Sequence, residues 1–251
     1  MSGHSKWATI KHKKGALDAK RGKLFSKLAR LIITAARKSG GDPDSNLHLR
    51  YAIDKAKAAN MTKDTIERAV KKGTGELGTA NYDTVVYEGY APGGVALMIE
   101  ILTDNRNRTA SEIRSVIENR GGSLGAANCV AWMFRTKGVF MVDSSKIAED
   151  KLMELVLDAG AEDLTADMGA FHVTCEVAKF ESVRKALEHA GIAPDLAEIQ
   201  HVPSQTVKLE RAAARRVLGL ISELEDHEDV QNVYANFDID DEVMQEIAAS
   251  S

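Results

Sequence analysis

The chain has 251 residues, 44% hydrophobic and 28% charged, with a formal net charge of −4; this suits two or three packed domains and confines disorder to the ends. No apolar run approaches a membrane span, and the N-terminus is charged by Lys6 without the apolar core of a signal peptide, so a soluble cytoplasmic protein with no membrane partner is expected. Cys129 and Cys175 lie far apart in apolar or alternating contexts, which excludes a disulfide framework or thiolate metal site and predicts buried free thiols.

The mild net charge hides a division. Residues 1–75 carry 18 of the 33 Lys and Arg but only 6 of the 37 Asp and Glu, so a polyanion would approach the front of the chain and be repelled by the rest. Within residues 1–38 eleven Lys or Arg face one acid, Asp18.

Residues 1–15 read as an arm on which Trp7 and Ile10 are the large apolar groups. An aromatic among Lys and His can stack on a base while its neighbours hold phosphates, or it can simply pin the arm to the first helix. A helix follows from Ala16. At roughly 100° per residue, Leu17, Leu24, Phe25, Leu28, Leu31, Ile32 and Ala35 share one arc, and Lys20, Lys23, Lys27, Arg30, Arg37 and Lys38 the opposite one. Only Arg21 lies on the apolar side, where its stem can follow the core and its head reach water. A solvated face normally mixes signs; this one does not, which points to a polyanion site.

Ser39 to Pro43 turns the chain. A second helix is expected from Asp44 or Ser45 past Ala58, and a third from an N-cap at Thr62 to Gly73. The turns between them lack the tight spacing of a helix-turn-helix, and no short recognition helix stands out. Lys71 and Lys72 suit the last turn of the third helix. Gly73-Thr74-Gly75-Glu76-Leu77-Gly78 spells G-x-G-x-x-G, but a helix precedes it and a polar loop follows, so it reads as a linker and not a dinucleotide site.

From Thr84 the pattern changes to strands. Thr84–Tyr90 and Val95–Leu102 flank a Pro-Gly-Gly turn, and a helix through Ile113 and Ile117 follows. Its start, beside Arg106 and Arg108, is a second candidate anion contact; capping and turn chemistry account equally for the Asp and Asn residues there. A short strand is expected at Ala131–Phe134. Strands and helices from Gly138 to Val202 then fall in the order βαββαβ, a ferredoxin-like unit. A helix near 209–225 and a strand near 230–237 need a sheet to pack on, and the strands of 83–135 can supply it. The expected fold is therefore α+β and multi-domain: a basic helical domain with its arm (1–77), a discontinuous α/β domain (78–136 and 204–251), and a ferredoxin-like α/β domain inserted in it (137–203). The acids of the last thirty residues, Glu223 to Glu246, read as a solvated acidic surface.

No catalytic constellation is found. The seven histidines are dispersed, with no H-E-x-x-H, no Walker lysine and no G-x-S-x-G. The chain is read as non-enzymatic, with no cofactor, no metal and no small-molecule substrate. The candidate nucleic-acid contacts are His4, Lys6, Trp7, Lys11, Lys13 and Lys14 on the arm, Lys20, Arg21, Lys23, Lys27 and Arg30 on the first helix, and Arg106 and Arg108.

Several stretches resemble the YebC family of probable transcriptional regulators, whose mitochondrial relatives are translational activators of cytochrome c oxidase. They are Gly3-His4-Ser5-Lys6-Trp7, Phe25-Ser26-Lys27, Gly40-Gly41-Asp42-Pro43, Ile66-Glu67-Arg68-Ala69, Tyr87-Glu88-Gly89-Tyr90, and Leu102 to Asn105 with Asn107-Arg108-Thr109. The resemblance implies three domains and a cytoplasmic protein that binds nucleic acid without catalysis. Two roles compete within it: promoter DNA binding that regulates transcription, and association with the ribosome and its RNA that assists translation. Phosphate contacts serve either, because they carry no sequence information.

Overall fold

The computed structural model describes residue 7, residues 18–78 and residues 81–249, with backbone alone for 18–21 and 248–249. Its architecture is α+β, the class read from the sequence: a helical bundle, an α/β part, and a ferredoxin-like unit inserted in that part.

The bundle contains α1 (Asp18–Ser39), α2 (Leu47–Ala58) and α3 (Lys63–Thr74). Leu28, Ile32, Ile33 and Ala36 of α1 pack with Leu49, Ala52 and Ala56 of α2 and Ile66 and Ala69 of α3. The buried stripe is displaced from the expected one: Ile33 and Ala36 are in the core, while Leu24 is 37% exposed. Serving two partner helices widens the buried arc beyond what one apolar stripe predicts. At Gly73 the helices meet backbone to backbone, since a Cβ there would lie 2.6 Å from the Ile33 carbonyl oxygen and 2.7 Å from the Ala36 Cβ.

Helix α2 starts later than expected because Asn46 is its cap. The Asn46 Oδ1 accepts the Leu49 N–H at 3.1 Å, and its Nδ2 donates to the carbonyls of Ala35 and Gly40 at 2.9 and 2.7 Å. One buried amide thereby satisfies a helix start and ties α2 to the end of α1. Thr62 caps α3 by position only, its hydroxyl meeting Thr65 Oγ1. The connection between α2 and α3 is four residues, 59–62, with Asn60 at φ 60°. Gly75, at φ 90°, ends α3 in the left-handed conformation, and the next regular element is a strand, so the glycine motif is a helix end and linker.

In the α/β part, β1 (Asp83–Ala91) and β2 (Val95–Thr103) form the expected hairpin, followed by α4 (Arg106–Asn119) and a two-residue β3 (Ser123–Leu124). The strand expected at Ala131–Phe134 is not one. Ala131–Met133 is a 3-10 turn, and β4 (Phe134–Asp143) starts where it ends. The cause is Glu88, whose buried carboxylate accepts backbone N–H groups from Asn128, Val130 and Ala131 at 2.7–2.8 Å and bends the chain toward itself.

The insert continues with α5 (Glu149–Asp158), β5 (Ala161–Asp167), β6 (Ala170–Cys175), α6 (Phe180–His189) and β7 (Leu196–Pro203), its antiparallel sheet ordered β5-β6-β4-β7. Phe140, Phe171, Val173 and Cys175 face the two helices. After a short β8 (Val207–Lys208), α7 (Arg211–Asp226) and β9 (Val230–Ala235) return to the first sheet, giving the order β3-β1-β2-β9. Val95, Leu97, Ile99 and Ile101 of β2 meet α4 and α7, while Ala96 and Met98 face Phe134 and Tyr234, the alternation of a strand covered on both faces. Then come β10 (Phe237–Asp238), parallel to β8, and α8 (Asp241–Ala249). This last helix lies in the stretch read as a solvated acidic surface, yet Met244 and Ile247 are core residues. Cys175 is buried as expected; Cys129 is half-buried.

Candidate nucleic-acid interface

The outward face of α1 is cationic, as its periodicity requires, but three of its charges meet the molecule's own acidic turn. Lys23 Nζ donates to the Asp226 carbonyl at 3.3 Å, and Lys27 Nζ donates to the Glu225 carbonyl. These are the last carbonyls of α7, which lack helical partners and carry the negative end of its dipole. One turn on, Arg30 Nη1 donates to the Glu228 carbonyl at 2.8 Å and to Asp229 Oδ1 at 2.5 Å.

Asp229 is the centre of this contact and is 2% exposed. Its Oδ2 accepts from Thr109 Oγ1 at 2.6 Å and from Arg108 Nη2 at 3.0 Å. Burial pushes its carboxyl up, but the Thr109 and Arg108 hydrogen bonds and the Arg30 charge outweigh this and hold it below the ordinary carboxylate value. The acids of 223–229 are therefore not simply solvated: one is buried between two guanidinium groups.

The second candidate contact is also engaged within the chain. Arg106 Nε pairs with Asp83 at 2.8 Å, and Arg108 bridges Asp104 at 2.9 Å and Asp229. Asn105 caps α4 by accepting the Arg108 N–H at 3.1 Å, so the helix start is occupied by its own cap. Trp7 packs, half-buried, on the core formed by β1, β2, α4 and α7, so among the described residues it anchors on the α/β part. His4, Lys6, Lys11, Lys13 and Lys14 lie outside the described residues, as do the side chains of Lys20 and Arg21.

Other cations of the bundle are uncommitted. Arg37 and Lys38 in the last turn of α1, and Lys71 and Lys72 in the last turn of α3, are exposed and make no ion pair among the described residues. The spacing places Arg37 and Lys38 on the cationic arc of α1 but not among the named contacts, and Lys71 and Lys72 suit the helix dipole. A pocket shared by the two helix ends could not be seen without the Gly73 crossing.

Glu112, His227 and Asp229 bring potential ligand atoms within 4.8 Å of one another. Each is already used: His227 Nε2 meets Glu112 at 2.9 Å, His227 Nδ1 accepts the Asp229 N–H at 3.1 Å, and Asp229 holds two arginines. A cation there would have to displace those guanidinium groups, so the cluster is an ion-pair network by its chemistry.

Two family models match the chain: the TACO1/YebC protein N-terminal domain over residues 5–76, and the TACO1/YebC second and third domain over residues 82–237. A "Probable transcriptional regulatory protein" of Pelotomaculum thermopropionicum is 55% identical over 243 residues, covering 96% of this chain and 100% of that one. Proteins of the same description from Natranaerobius thermophilus and Rubrobacter xylanophilus are 53% and 54% identical, each over at least 98% of both chains. The crystal structure of a conserved hypothetical protein from Aquifex aeolicus superposes with a TM-score of 0.83 at 44% identity, covering 89% of this chain and 93% of that one.

Proposed function

Because the chain belongs to the TACO1/YebC family, we propose that it is a nucleic-acid-binding regulator of gene expression that acts on transcription through DNA contacts of its basic helical part. The observation that carries this reading is the segregation of charge: 18 Lys and Arg against 6 acids in residues 1–75, within a chain of net charge −4. Four of these cations stand exposed at one end of the bundle. Phosphate neutralisation by such groups releases counterions and gives affinity without sequence preference. The names of the relatives agree with a role in transcription.

Ribosomal RNA is the second reading, and one observation favours it. Trp132 is 69% exposed, and its orientation is fixed by an Nε1–H bond to the Cys129 carbonyl at 3.1 Å on the turn that Glu88 holds. A rigid exposed indole suits stacking on an unpaired base, which duplex DNA does not offer.

Fluorescence anisotropy of the full chain with a labelled DNA duplex and with a labelled ribosomal RNA hairpin, across a salt series, tests both. Affinity that falls steeply with salt is expected. Binding to the hairpin with the duplex ignored selects the ribosomal reading. No binding to either at about 20 mM salt, where electrostatic contacts are strongest, removes the proposal.

A further inference from the structure

We infer that the C-terminal ends of α1 and α3 form a phosphate-binding cleft through which the bundle takes hold of a nucleic-acid backbone; this rests on the function proposed above and specifies its site. A cleft of about 400 Å³ is lined by Ala36, Arg37 and Gly40 on one side and by Lys72, Gly73, Thr74 and Gly75 on the other. Two cations therefore flank a floor of glycine backbone.

The floor exists because of Gly73. Its missing Cβ lets α3 lie against the Ile33 carbonyl and Ala36 of α1, which brings the last turns of the two helices together. Gly40 and Gly75, at φ 92° and 90°, turn the chain away at the rim, and a Cβ at either would meet nothing within 4 Å. The cleft mouth is thus open at both glycines.

Helix C-termini repel anions, each presenting about half a negative charge. Here that repulsion is reduced and then overcome. The Ala36 carbonyl accepts the Gly40 N–H at 2.8 Å, and the single proton of the Thr74 hydroxyl is shared between the Lys71 carbonyl at 3.1 Å and Glu76 Oε1 at 3.0 Å. Arg37, Lys38, Lys71 and Lys72 place four formal positive charges on the two last turns, against Glu76, bonded to Thr74 Oγ1 at 3.0 Å, and Asp42, next to the Gly41 that packs on Thr74. Lys23, Lys27 and Arg30, on the same face of α1 but nearer its start, are already spent on the α7 carbonyls and Asp229. A phosphodiester chain meets free guanidinium and ammonium groups at this end of the bundle without breaking an existing contact. Arg37 offers the planar fork that suits phosphate oxygens, and Lys72 a point charge opposite it.

The test compares the full chain with Arg37→Ala/Lys72→Ala and with a control pair of equal charge change on the same bundle, Lys57→Ala/Lys63→Ala. Binding of a DNA duplex and of a single-stranded RNA of equal length is followed by anisotropy across a salt series. The cleft pair is expected to lower the slope of log affinity against log salt by about 2 for the duplex, at roughly 0.9 per lost phosphate contact. It should also weaken binding at least tenfold more than the control pair. Loss for both ligands identifies the shared phosphodiester, and loss for one assigns the cleft to that polymer. Because these positions are exposed, the variants should melt with the wild type. If the wild type binds and the cleft pair binds as well as the control, the cleft is wrong while the proposed function stands. If the wild type binds neither ligand, the proposed function falls first.

Discussion

Arg30 and Asp229, 199 positions apart in the chain, are joined by a 2.5 Å contact between guanidinium and carboxylate. Arg108 holds the other carboxylate oxygen. The bundle and the α/β part therefore share one buried charge, and neither guanidinium can leave without exposing it.

Asp229→Asn should cost about 2 kcal/mol. Breaking a fully buried pair costs roughly 3–5 kcal/mol, and the figure is reduced here because the Arg108 side chain is 45% exposed and screened by water. The urea midpoint reads this directly. A midpoint unchanged from the wild type would mean that the two arginines stabilise nothing through this carboxylate.

His172 gives a pH prediction. Its ring is buried on β6 beside Met141 and Thr165, and burial, opposed by Asp167, holds its imidazole below the ordinary 6.5. Below pH 6.5 the unfolded chain takes up a proton that the folded chain refuses, so stability falls as pH drops through that window, by up to about 1.4 kcal/mol per pH unit. His172→Leu should flatten the decline between pH 6.5 and 5.5. Parallel urea titrations of both proteins at the two pH values check it, and identical slopes would refute it.

Gly73→Ala should destabilise although alanine is the better helix former by about 1 kcal/mol. The added Cβ would stand 2.6 Å from the Ile33 carbonyl oxygen, and forcing apart two helices in backbone contact costs about 1–3 kcal/mol. A thermal melt below that of the wild type is expected; a melt above it would show that the helices yield freely.

The two tryptophans should be separable by fluorescence. Trp132 is 69% exposed and Trp7 is half-buried on a core. Trp132→Phe should remove most of the emission that acrylamide quenches and shift the remainder to shorter wavelength, with a stability change within about 0.5 kcal/mol as for other exposed sites. Glu88→Ala, which strands three N–H groups, that of Val130 buried, should make the emission of Trp132 broader and cost roughly 1–3 kcal/mol.

The sequence made the elements legible where period and local chemistry agree. Helix α1 shows its two faces by spacing alone, and the ferredoxin-like unit by its order of strands and helices. The partners of the α1 cations were not legible, since Lys23, Lys27 and Arg30 meet residues about two hundred positions on. Asp229 sits in a run of acids that looks solvated, and only the fold brings Thr109 and Arg108 to it. The 3-10 turn at Ala131–Met133 was hidden for the same reason: its apolar residues suit a strand, and the carboxylate that bends them comes from Glu88. Helix α8 was missed because its acids mask the spacing of Met244 and Ile247.

Strand β2 is buried on all but one of its residues and lies between β1 and β9. Since β9 begins at Val230, a nascent polypeptide carries an unpaired, largely apolar strand edge until nearly the last stretch has been synthesised. Such an edge templates association with other chains, so a premature stop anywhere in α7 should yield insoluble product, and not a shorter soluble protein.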